Sequence, residues 1–224
     1  MKEFIKELGG NRVEGELVKT ALYSLVTSVI FLILMYSFKL KNLDNFSKYL
    51  FYLILFIFSV ALIVPTLRQV RAYKQFNCMS GMMIGMTSGM IAGFLPGFYI
   101  GATNGMFIGG VFGIAIGIFF GIWTGKCCGI MGFIEGVMAG FMGGWMGAMT
   151  AVMLLNDHLQ ASAIIVFIIS AVIMIALNYM IYGEMKENER QLEEDHFITI
   201  LVTLVLIVIT TWLMLFGPRG SVVI

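Results

Sequence analysis

Two rows of sulfur, each at helical spacing, are the residues of this chain best suited to chemistry. The first row is Met79, Met83, Met86 and Met90. The second is Met131, Met138 and Met142, continued by Met146 and Met149, with a carboxylate, Glu135, set into it. Cys127 and Cys128 precede the second row, next to Lys126. Thioethers and thiolates are soft ligands that select Cu(I) over harder ions. Side chains three or four apart on a helix lie about 5–6 Å from one another at Cβ. An ion could therefore pass between successive weak sites, and a conduit needs sites that also release. In this reading the metal-facing residues are Met79, Met83, Met86, Met90, Cys127, Cys128, Met131, Glu135, Met138 and Met142.

Each member of that set also has a plainer reading. Flexible methionines fill irregular gaps in apolar packing, which needs no metal. Glu135 could balance a passing cation, relay a proton, pair with Lys126 or hydrogen-bond between helices; a carboxylate within a span usually faces the bundle interior or a cavity. Cys127 and Cys128 beside a lysine and near a helix start would have lowered pKa values and suit a cytosolic hand-off, or they are small packing residues. Asn156, Asp157 and His158 stand at the other end of the same segment, as outer ligands or as loop solvation.

The acidic stretch Gly183–His196 reads as a solvated loop. With two histidines in the chain a catalytic zinc centre is not expected. No P-loop, dinucleotide fingerprint or nucleophile–base pairing is present, so the expectation is a protein that is not an enzyme. The cofactor expectation is likewise none, Cu(I) being the one candidate ion.

The elements that would position these residues are marked by glycine. From Gly81 to Gly129 every fourth residue is glycine, thirteen in phase, and the beat resumes at Gly132, Gly136, Gly140 and Gly144. In water such a run would weaken a helix, at about 0.5–1 kcal/mol per glycine relative to alanine. In a bilayer the missing side chains let helix backbones approach and pack. The run reads as a membrane glycine zipper.

Composition agrees: 59% of residues are hydrophobic, 12% are charged and the formal net charge is +1. That excludes a water-soluble globule and gives no reason to invoke nucleic acid. Apolar stretches long enough to span, about 20 residues each, fall at 18–38, 49–67, 79–99, 104–124, 129–155, 161–182 and 197–216. The expected fold is an all-α polytopic membrane bundle of about seven transmembrane helices with a glycine-zipper core. Residues 79–124 form one apolar stretch that must turn, at Pro96 or within Ala102–Gly105.

Three parts follow. Residues 1–77 hold an amphipathic N-terminus and two spans. Residues 78–155 hold a glycine- and methionine-rich core of three spans. Residues 156–224 hold two spans joined by an acidic loop. The flanking pairs are expected to shield the core from lipid. Lysine and arginine placement favours an N-terminus on the inside of a cytoplasmic membrane, with a bacterial look. Shifts of 51 and 52 residues superimpose the glycines and methionines of the third and fifth spans, which reads as two parallel, similar helices.

Three functions remain open at this stage. The leading positive one is binding or translocation of a soft metal ion, Cu(I), through the methionine stripes of the third and fifth spans. The second is a non-catalytic scaffold whose glycines assemble a homo-oligomer or hold other membrane subunits. The third is a proton-coupled carrier or channel that uses Glu135. The lipid bilayer is the partner common to all three.

Overall fold

A computed structural model describes residues 13–38, 46–73, 76–126, 129–185 and 196–218. Seven helices account for nearly all of these: α1 (Val13–Phe38), α2 (Phe46–Arg71), α3 (Cys78–Asn104), α4 (Met106–Gly125), α5 (Gly129–Met153), α6 (Leu159–Met185) and α7 (His196–Phe216). Each is long and apolar enough to cross a membrane, so the chain is an all-α integral membrane bundle.

The long apolar stretch turns at Gly105 and not at Pro96. Gly105 has φ +105°, a conformation open to glycine at no steric cost. Its N–H closes the last turn of α3 on the Gly101 carbonyl at 3.1 Å, and α4 begins at the next residue. Pro96 lies inside α3, as Pro65 lies inside α2. A proline within a span is tolerated where neighbouring helices pack around it. Pro96 is buried, and the small void beside it is lined by Phe56, Ser59, Val60 and Phe120. No polar pocket opens there.

The core of the molecule is the three-helix unit α3–α4–α5, packed almost without side chains. The same pairs of glycines recur at every turn. Between antiparallel α3 and α4 they are Gly85 with Gly125, Gly89 with Gly121, Gly93 with Gly117, Gly97 with Gly113, and Gly101 with Gly109. Between α4 and α5 they are Gly125 with Gly132, Gly121 with Gly136, Gly117 with Gly140, and Gly113 with Gly144. Parallel α3 and α5 close the triangle, so each of four levels holds one glycine from each helix, and Ala148 takes the α5 place at the fifth. A Cβ at Gly93 would stand 2.9 Å from the Gly140 carbonyl oxygen and 3.1 Å from that of Gly113. Real Cβ atoms do not tolerate such approaches. Close backbones of this kind gain van der Waals contact and Cα–H···O interactions in place of side-chain packing.

The remaining helices pack on one side of this unit. α2, α6 and α7 lie against α3, and α1 packs on α2 and α7. Large side chains fill this second layer: Leu53 and Phe56 of α2 meet Leu95, Phe98 and Tyr99 of α3. Several polar groups buried between helices are paired. The Ser88 and Thr124 hydroxyls are 2.6 Å apart, joining α3 to α4. The Ser59 and Tyr99 hydroxyls join α2 to α3 at 3.2 Å. Asn104 Nδ2 donates to the Leu213 carbonyl at 2.8 Å, joining α3 to α7. Shielding of the core is thus one-sided. Helix α3 is enclosed, whereas α5 packs chiefly on α3 and α4 and leaves its methionine face exposed among the described residues.

Candidate functional site

Helix α5 has two faces, and its sequence explains both. Gly132, Gly136, Gly140, Gly143, Gly144 and Gly147 are buried. The first, second, third and fifth of these face α4, as described. Gly143 and Gly147 lie against the backbones of Met90 and Phe94 of α3. On the far side, Met131, Met138, Met142, Met146 and Met149 are 38% to 60% exposed. At the edge toward α4, the Trp145 ring covers Gly110, where a Cβ would sit 2.8 Å from the ring. Trp145 and Gly143 therefore mark the two rims of the open face, and the sulfur row runs between them.

The methionines of α3 also point outward. Exposure falls along the row from 79% at Met79 to 36% at Met90, as the helix passes beside α5. The two helices are parallel, as the internal echo predicts. Their contacts recur at two constant intervals: 47 residues (Gly85 with Gly132, Gly89 with Gly136) and 53 residues (Met90 with Gly143, Phe94 with Gly147). Cβ atoms lean toward the helix N-terminus, so equal depth falls midway, at an interval of about 50. This is close to the 51–52 residue shifts read from the sequence. Met86 of α3 then lies at nearly the depth of Glu135, and Met90 between the depths of Met138 and Met142, each to within about 3 Å of rise.

Glu135 sits on α5 two turns into the helix and is half-buried. Six residues from the start of α5 is about 9 Å of rise; the whole helix is roughly 37 Å long against a hydrocarbon core of about 30 Å. The carboxylate is thus a few ångströms below the membrane boundary, where an uncompensated charge is costly. Lys126 is exposed at the end of α4. Among the described residues it makes no ion pair with Glu135. The described residues also hold no cluster of three or more His, Cys, Asp or Glu that could take a metal ion. Thioether sulfur and one carboxylate are what this face offers.

Cys127 and Cys128 lie outside the described residues. Cys78, at the start of α3, is a free and exposed thiol. It stands at the same end of the bundle as Lys126, because α3 rises from where α4 descends. At the opposite end, Asp157 Oδ1 and His158 Nδ1 are 2.7 Å apart and both side chains are exposed. Asn156 beside them is exposed as well. These residues form a small polar corner after α5, remote from Glu135.

Sequence reasoning passed over two polar contacts at the Cys78 end. Arg68 is 7% exposed and its Nη2 is 3.0 Å from Glu16 Oε2, tying α2 to α1. Glu184 of α6 accepts the Ser80 hydroxyl at 2.6 Å and the Asn77 N–H at 3.1 Å, which fixes the start of α3. Both carboxylates sit close to charged loops, so by composition they read as solvated. Only their neighbours in space reveal the pairing.

The centre of the three-helix unit has no room for an ion, because each level is occupied by three touching backbones. Any path for a solute along this unit runs on its outer surface. No family model, no curated protein and no solved structure matches the chain. The fold and its seven apolar helices define the class, an integral membrane protein.

Proposed function

We propose that the protein binds, and passes along the membrane normal, a soft monovalent cation of the Cu(I) type, on the outer face of α3 and α5. The observation that carries this reading is the position of Glu135. It is a half-buried carboxylate within a thioether row, at membrane depth, with no ion pair among the described residues. A cation held by neighbouring sulfurs would supply the missing charge, with the thioethers of Met86 and Met138 as soft ligands within about one turn of its depth and Met142 the next about one turn further on. In this reading Met79, Met83 and Met131 continue the row toward the Cys78 end, and Met90 continues it the other way. Cys127 and Cys128 take the ion at its mouth. A row of uncharged sulfurs binds weakly enough to release the ion onward.

A second reading has its own support, the face of α5 left exposed among the described residues. A second copy or another membrane subunit seated there would bury the methionines and Glu135 and make the unit a scaffold. A carrier that uses Glu135 for protons would employ the same face. Anaerobic Cu(I) binding to the purified protein, against a competing chelator, separates these. The Met86/Met138/Met142→Leu variant keeps side-chain volume nearly constant. Stoichiometric binding by the wild type that the variant loses supports the metal reading. Equal binding by the two, or none, removes it and leaves assembly or proton coupling as the role of the face.

A further inference from the structure

The sulfur face of α5 is not built like the surfaces that other helices of this molecule turn outward. On α1 the exposed positions are held by Leu22, Val26 and Ile30, and on α6 by Ile165, Ile168 and Val172. Among the described residues every exposed methionine belongs to α3 or α5. Methionine and aromatic side chains are enriched where proteins meet one another. Nine large side chains of α5, from Met131 to Met149, are 38% to 60% exposed. At about 100 Å² each they present about 900 Å², and a stable interface takes about 800 Å² from each partner.

The metal reading also needs a second wall. Glycine levels close the centre of the three-helix unit, so an ion outside it would have hydrocarbon on its far side, where charge is costly. Met138 and Met142 stand two residues either side of Gly140, so at about 100° per residue both point away from the glycine level. Whatever closes the path must offer soft ligands opposite α5 at the depths of Met131, Met138 and Met142. A second copy turned about a twofold axis along the membrane normal does so. Such an axis keeps each residue at its own depth, and each methionine confronts its counterpart.

The charges fit the same axis. Glu135 precedes Gly143 and Gly147 by whole four-residue steps, and these two glycines lie against Met90 and Phe94, so Glu135 is on the rim toward α3. Lys126 follows the exposed Phe119 by seven residues, about two helical turns, and extends the open face of α4 beyond the opposite rim. A twofold rotation sets the α3 rim of one copy against the α4 rim of the other. The two carboxylates then stand apart, and each faces the side that carries the second copy's lysine.

We propose that a second copy of this chain packs on the α5 face about that axis, and that the two methionine rows together wall one path for the soft cation. The proposal rests on the metal reading above and makes each copy's site incomplete without the other.

Two measurements on the purified full chain test this. With Cys78→Ala, Cys127→Ala and Cys128→Ala in place, a single Met142→Cys in liposomes should give a disulfide-linked dimer under a mild oxidant. Val172→Cys, on the exposed side of α6, should not. If Met142→Cys does not fold, Met138→Cys takes its place. The second measurement uses Cu(I) alone as probe, against a competing chelator. It compares the wild-type dimer with a mixed dimer, isolated by two tags, in which one copy carries Met86/Met138/Met142→Leu. The mixed dimer should lose about tenfold or more in affinity at every site, since even groups behind the ligands of a metal contribute about that much.

A mixed dimer that keeps half its sites at wild-type affinity would overturn the proposal and leave the metal reading standing. Full Cu(I) affinity in a monomer would do the same, as would cross-linking no stronger at Met142 than at Val172, the result if lipid or another subunit covers the face. A Met142 cross-link in a chain whose wild type binds no Cu(I) would overturn both.

Discussion

A Cβ placed on Gly117 would stand 2.8 Å from the Cα of Gly93 and 2.8 Å from the carbonyl oxygen of Gly140. Two glycines on antiparallel helices thus touch through their backbones, and a third helix closes on both. At this level neither partner can yield by rotating a side chain, because there is none.

Gly117→Ala should therefore destabilise the bundle by about 3 kcal/mol or more, the upper range for overpacking, through displacement of a helix. Gly183→Ala is the matched control. Gly183 lies within α6 and a Cβ there meets nothing within 4 Å. That variant should be neutral or more stable by up to about 1 kcal/mol, the helix-propensity gain. Thermal unfolding in detergent reads both. Similar midpoints for the two variants would contradict the account of the core.

The bond between Ser88 and Thr124 links α3 to α4 beside the glycine levels. Ser88→Ala and Thr124→Val, alone and together, form a double-mutant cycle. The expected coupling is about 0.6–1.7 kcal/mol, the range found for such bonds within membrane helices. A coupling of zero would mean that each hydroxyl is sufficiently satisfied by its own helix. With one proton each, only one of the two can donate across the helices, and the other donates to its own carbonyl, that of Ile84 for Ser88 or of Phe120 for Thr124.

Glu135→Gln removes the charge while keeping shape and hydrogen-bonding capacity. If the carboxylate balances a bound cation, Cu(I) affinity should fall at least tenfold, with the thermal midpoint of the metal-free protein unchanged or raised. A raised midpoint follows because a neutral amide is less costly at that depth than a carboxylate. Unchanged Cu(I) affinity in Glu135→Gln would remove Glu135 from the site, whatever the methionines do.

The order and number of the helices could be read from the sequence because hydropathy and glycine spacing are local signals. The two faces of α5 were also legible: Gly136 and Met138 fall on opposite sides by period alone, and the bundle buries one and exposes the other. What period cannot supply is which neighbour covers a face. The flanking spans are expected to shield the whole core, yet they gather on α3, whose Leu95, Phe98 and Tyr99 offer large apolar side chains. Helix α5 carries large side chains too, among them Ile134, Phe141 and Trp145, yet these stay exposed among the described residues. Pro96 was a plausible breaker for the same reason: its tolerance within α3 depends on α2 packing beside it.

The triangular levels of the core carry an ambiguity that their sequence resolves. A row with glycine at every fourth position looks the same after a slide of one turn, about 6 Å, so such helices can seat glycine on glycine in several alignments. Between α3 and α4 the one-residue turn at Gly105 removes the choice. Helix α5 follows α4 after three residues in the sequence, and a further stop bounds its row. Ala148 lies at the outermost level, where Gly101 and Gly109 meet. Sliding α5 one turn toward its N-terminal end would drive the Cβ of Ala148 into a level sized for hydrogen atoms. The third helix is indexed like a key whose end tooth, and not its repeating notches, fixes how far it enters.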